Sequence, residues 1–149
     1  MTTTNESKVN LILNQPSNWT QWFFIILDTA KTNEVWEYID PFKKDKRLKL
    51  AQPSRPIPRD ILPTATSIAK LDPSQLTVYN QLYAKYKDDL RTYKKQKRAI
   101  NNISNYIVRT TSVAYLPLIN DLNTVHERLQ ALKTALAPTT SGQKHDVLN

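Results

Sequence analysis

A single glycine, Gly142, stands in a chain of 149 residues that holds nine prolines. That scarcity constrains the fold more than any other feature. Tight hairpin turns need residues that tolerate positive φ, glycine above all. A chain with one late glycine lacks the turns that a sheet protein consumes. The expectation is an all-α fold, with prolines marking where helices cannot run.

Helical periodicity is clearest between Asn18 and Pro41, where all three tryptophans lie. Trp19, Trp22, Phe23, Ile26, Leu27 and Ala30 recur at +3, +4, +7, +8 and +11, the spacing of one broad apolar face. Asn18 is expected to cap this helix, with Gln21 reaching back as in a capping box. Pro16 is expected to prevent earlier helix entry. A further turn carrying Val35, Trp36 and Ile39 closes at Asp40-Pro41. Trp19, Trp22, Phe23, Ile26 and Trp36 are therefore expected in the core. Such a stripe packs; by itself it points to no chemistry.

The other elements follow from caps and breakers. Residues 1–17 read as a flexible arm whose apolar run 9–13 (VNLIL) lies extended against the core. Residues 18–139 read as one helical domain. Within it, Pro53, Pro56, Pro58 and Pro63 punctuate a basic stretch, 42–63, expected as an extended, mobile linker. Asp72 suits an N-cap and Pro73 the first helical position. Leu76, Tyr79, Leu82, Tyr83, Tyr86, Leu90 and Tyr93 then repeat at helical spacing, and Ile100, Ile103 and Ile107 resume it. One long central helix over about 73–109 would measure about 55 Å, with a bend expected at Asn101-Asn102. Tyr83, Tyr86 and Leu90 are expected in the core, stacking on bases being the other use of a tyrosine stripe. Thr124 and Glu127 fit a capping box, each bonding the other's backbone amide, and open a C-terminal helix with Leu129 and Leu132 on its apolar side. Residues 140–149 read as a disordered tail.

Several functions are excluded. Without cysteine there is no disulfide, no thiol catalysis and no zinc finger or knuckle. No apolar run approaches the roughly 20 residues of a membrane span, and the N-terminus has no apolar signal core, so a cytoplasmic protein is expected. Phosphate-binding, dinucleotide-binding and nucleophile-elbow motifs are all missing. His126 and His145 have no metal-ligand spacing. Asp88 and Asp89 point about 100° apart on a helix and make no catalytic pair. No enzyme, cofactor, metal or small-molecule substrate is expected.

Charge supplies the positive signal. The net charge is +8, and two stretches, 43–59 and 85–98, hold seven basic residues each of the 21. Clustered cations attract polyanions because each one placed on a phosphate releases a counterion. The candidate nucleic-acid contacts are Lys43, Lys44, Lys46, Arg47 and Lys49 in the linker. On the central helix they are Lys87, Arg91, Lys94, Lys95, Lys97 and Arg98. The ordinary alternative is a solvated linker and a solvated helix face.

Four blocks in order carry a likeness to a known family. Asn18-Trp19 with Trp22 begins it, and VWEYIDP (35–41) follows. LYAKYKDDLRTYKKQKRAINNISNYIVRTTS (82–112) is the third. Tyr115-Leu116 with TVHERLQALKTALAPT (124–139) is the fourth. Across about Trp19 to Thr139 the chain resembles the Gag polypeptide of copia-type LTR retrotransposons, the fungal branch especially. The resemblance implies an all-helical, capsid-like domain that associates with itself into virus-like particles around RNA. Family members continue past the LAPT block with further helices, and many carry a zinc knuckle, protease and polymerase. This chain ends ten residues after Thr139, which reads as a truncated copy or a fragment and puts particle assembly in question. A small basic helical nucleic-acid-binding module, a decayed or host-adopted remnant without assembly, is the alternative.

Overall fold

The computed structural model describes residues 11–44 and 48–138. The expectations for 1–10, for Lys46 and Arg47, and for the tail 140–149 lie outside the described residues. The fold is all-α. Four helices appear among the described residues: α1 (Trp19–Thr32), α2 (Trp36–Ile39), α3 (Pro73–Thr110) and α4 (Val125–Leu136). They form two compact units, one of residues up to Lys49 and from Arg98 onward, the other Leu50–Lys97. The single helix α3 belongs to both.

In the first unit α1 buries Trp19, Trp22, Ile26 and Ala30, the face that the spacing selects. Phe23 and Trp36 are half-buried against the same cluster. Ile103, Tyr106 and Ile107 from the end of α3 and Leu129 and Leu132 from α4 complete it. Trp22 anchors this core through more than its area. Its indole N–H donates to Thr110 Oγ1 at 2.8 Å, and that hydroxyl donates to the Tyr106 carbonyl at 2.6 Å. A buried indole needs such a partner.

The start of α1 differs from expectation. Pro16 does not hold the helix off but opens a 3-10 turn, Pro16–Asn18, that runs straight into α1. Asn18 already has helical backbone angles and makes no side-chain cap. Its Oδ1 accepts from the Asn14 N–H instead. The end of α1 is a Schellman turn: Val35 N–H reaches the Ala30 carbonyl and Glu34 N–H the Lys31 carbonyl. Glu34 sits there at φ 59°, a left-handed position that glycine usually fills.

Before α1, Leu13 is fully buried. Its N–H donates to the Thr110 carbonyl at 2.7 Å and its carbonyl accepts from Ser112 at 3.0 Å, one isolated parallel bridge. The expected extended packing of this run thus holds for its described part.

α3 begins with reciprocal bonds. Gln75 N–H donates to Asp72 Oδ1 at 2.8 Å, and Asp72 N–H donates to Gln75 Oε1 at 3.0 Å. The Gln75 amide, with the Ser74 hydroxyl, holds the Asp72 carboxyl below its ordinary value. The helix is continuous through Asn101-Asn102. At α4 the Glu127 N–H donates to Thr124 Oγ1 as expected. The return bond differs: the Thr124 hydroxyl, not its backbone N–H, donates to the Glu127 carboxylate.

Residues 48–57, within the stretch expected as an extended linker, run without helix or strand, and the segment makes contacts of its own. Pro56 is buried, its carbonyl faces the Tyr79 hydroxyl at 3.5 Å, and Asp60 Oδ2 accepts from Ile57 N–H to fix a 3-10 turn, Pro58–Asp60. Proline-rich chain pre-sets its own backbone and packs on aromatic faces at low entropic cost. Tyr83, Tyr86 and Leu90, expected in the core, are only half-buried and lie outside the cluster around Trp22.

Candidate nucleic-acid interface

The cations of α3 follow from helix geometry. Lys87, Arg91, Lys94 and Arg98 recur at +4, +7 and +11, so they share one ridge, and all four are exposed. Lys95 and Lys97 are exposed beside it. Tyr79, Tyr83, Tyr86 and Tyr93 occupy the adjoining face, where Tyr79 is buried and the others are half-buried. The ring centroids of Tyr79 and Tyr83 lie 6.1 Å apart and those of Tyr83 and Tyr86 5.8 Å apart.

Two acidic side chains temper the ridge. Arg91 pairs with Asp88 at 3.0 Å and Lys85 with Asp89 at 2.7 Å. Both pairs are exposed and of the kind that contributes little, so a phosphate can displace them. Lys94, Lys95 and Arg98 have no ion pair among the described residues.

Two of these tyrosines, Tyr83 and Tyr93, carry cations on their rings. Arg55 lies 5.4 Å and Lys87 5.2 Å from the Tyr83 ring centroid, and Lys97 lies 5.9 Å from that of Tyr93. Cations held on ring faces leave less aromatic surface for a base. The arrangement therefore suits phosphate neutralisation better than base stacking. A cleft of about 400 Å³ between the proline segment and α3 is lined by Arg55, Leu82 and Tyr86 but also by Asp60 and Asp89. That mixed charge makes it a poor seat for a polyanion.

The linker candidates divide. Lys43, Lys44 and Lys49 are exposed, while Lys46 and Arg47 lie outside the described residues. Arg55 is the contact that sequence reasoning missed. Its only signal was a cation flanked by prolines within reach of a tyrosine-bearing helix.

His126 is buried, and its Nδ1–H donates to the Asp40 carbonyl at 3.0 Å, tying the start of α4 to the end of α2. Burial pushes the Tyr106 phenol above its ordinary value, with Arg109 nearby opposing that. Among the described residues no acidic, histidine or cysteine cluster could hold a metal, and no helix is long and apolar enough to cross a membrane. No family model, curated protein or solved structure matches the chain.

Proposed function

We propose that this chain is a structural, Gag-like protein that associates with itself and gathers RNA on a cationic helix. The observation that carries the RNA part is the exposed ridge Lys87, Arg91, Lys94 and Arg98 on α3. The self-association part rests on the ordered resemblance between Trp19 and Thr139. On this reading the protein is cytoplasmic and non-catalytic, with RNA and further copies of itself as partners and no cofactor.

A ridge of exposed cations presents charge without fixed base-reading geometry. Binding is then sequence-tolerant and driven by counterion release. Replacing the four ridge residues by glutamine keeps good helix formers at each position, so helicity stays nearly intact. The slope of log affinity against log salt should flatten by about three units if all four touch single-stranded phosphate. Fluorescence anisotropy on single-stranded RNA at several salt concentrations measures it. An unchanged slope would remove the ridge from RNA binding.

A nucleic-acid-binding module without assembly is the second reading, favoured by the cation density of 85–98 alone. Sedimentation and electron microscopy with and without RNA separate the two. A chain that stays monomeric at every concentration and forms no particles selects the module.

A further inference from the structure

A cleft of about 190 Å³ lies between α1 and the end of α3, within the first unit. Two periodicities build it. Ile25 and Thr29 stand one turn apart on α1, and Asn102, Tyr106 and Arg109 recur at +4 and +7 on α3. The buried Ile26 and Ile103 supply more of its wall. Its volume exceeds the roughly 150 Å³ of an apolar cavity that takes up benzene.

Tyr106 makes this cleft more than a gap in packing. The residue is 9% exposed, and its hydroxyl bonds to nothing among the described residues. A buried hydroxyl without a partner costs stability, so its presence calls for an explanation. Phenylalanine would fill the same space without that cost. Burial raises the phenol and keeps it protonated at neutral pH, ready to donate. Arg109 is exposed, its guanidinium 5.7 Å from the Tyr106 ring centroid and in no ion pair among the described residues. Thr29 and Asn102, also exposed, add a hydroxyl and an amide. Among the described residues that line the cleft, Arg109 alone is charged.

We propose that this cleft binds a small carboxylate with a compact apolar body. The carboxylate lies between the Tyr106 hydroxyl and the Arg109 guanidinium, and the body lies against the three isoleucines. Each part follows from the chemistry. Phenol, guanidinium, hydroxyl and amide all donate, and a carboxylate accepts several such bonds, the charge-assisted one from arginine being the strongest. Inorganic phosphate would set a charge against isoleucines that cannot solvate it. A plain hydrocarbon would leave the phenol unpaired. A nucleobase would have to stack on the Tyr106 ring, where Arg109 already stands. The hydroxyl is closed to water in this conformation, so seating an acceptor on it takes a rotamer change in a wall residue such as the half-buried Ile25, an ordinary adjustment on binding. None of these residues belongs to the RNA ridge, and the site stands whether or not the chain associates with itself.

The test is an NMR titration of the full chain with benzoate and isovalerate, set against benzamide and inorganic phosphate. Both carboxylates should bind with a Kd on the order of 1 mM or tighter, shifting amide resonances in 25–29 and 102–109. Benzamide, close in shape but uncharged, should bind at least about tenfold more weakly, and phosphate should not reach saturation. Tyr106→Phe and Arg109→Gln should each weaken benzoate about tenfold, while circular dichroism melts do not fall. A hydroxyl kept only for packing would do the reverse, its loss lowering the melt and leaving affinity alone. Any one of three results overturns the site: no saturable binding by either carboxylate, benzamide binding as tightly as benzoate, or unchanged affinity in both variants. Uridine monophosphate binding more tightly than benzoate at the same resonances would make the cleft a base pocket and overturn the carboxylate assignment.

Discussion

Replacing Thr110 by valine isolates the contact on which Trp22 depends. Trp22 is fully buried and Thr110 is 1% exposed. Valine keeps the shape but removes the acceptor at 2.8 Å from the indole nitrogen. An orphaned buried N–H costs about 1–3 kcal/mol. The Tyr106 carbonyl also loses the Thr110 hydroxyl, but the helix ladder still supplies it with the Thr110 amide. The added methyl returns somewhat under about 1 kcal/mol. The net loss is about 1–2 kcal/mol, or about 3–6 °C in Tm for a chain of this length. Thr110→Ser loses a methyl and can cost nearly as much, so the size of one loss decides little. A double-mutant cycle with Trp22→Phe does decide. Without an indole N–H to strand, Thr110→Val should become nearly neutral, giving a coupling of about 1 kcal/mol or more. Thr110→Ser should show none. Urea unfolding followed by circular dichroism supplies the four free energies. A Thr110→Val loss that is the same in both backgrounds would refute the idea that this bond holds the core.

Trp22→Ala should cost about 3–5 kcal/mol in the same assay, the range for deleting a buried large aromatic, and an unchanged melting curve would mean the α1 face is misassigned. Glu34→Gly should stabilise by up to about 1 kcal/mol, because glycine relieves the left-handed strain at φ 59°; a loss instead would show that the glutamate side chain outweighs the strain. Tyr106→Phe should be neutral or stabilising by about 1 kcal/mol, since its buried hydroxyl has no partner among the described residues. Asp72 titrates below 3.8 in the folded state, so its cap is intact above that value and is lost as pH falls through the folded pKa. The Gln75 amide resonance should report that midpoint by NMR, and Asp72→Asn should abolish it.

What could be read from sequence was what is local. The period of α1, the proline after Asp72 and the threonine before α4 fix elements within a few residues of themselves, and all three helices stand where those signals put them. Asn18 failed as a cap because a 3-10 turn entered from Pro16 and turned its side chain toward Asn14. Glu34 gave no warning, since the turn it occupies normally announces itself with glycine. Thr110 looked like surface by polarity, and only the distant Trp22 makes it core. The ridge on α3 was legible as a repeat of cations. Its restraint was not, because Arg55 reaches Tyr83 only through the path of the proline segment.

The bridge at Leu13 has a consequence for the order of events in time. Leu13 and Trp22 both close on the last turn of α3, so the chain's early residues wait for partners near position 110. Most helical proteins gain speed from contacts between near neighbours in sequence. Here the decisive closures span most of the chain, and the loop entropy between them must be lost before the core rewards it. On a ribosome, α1 emerges with its tryptophan face uncovered and stays so until the end of α3 has followed. A mostly helical protein thus inherits the slow search, and the exposed apolar interval, more familiar in sheets.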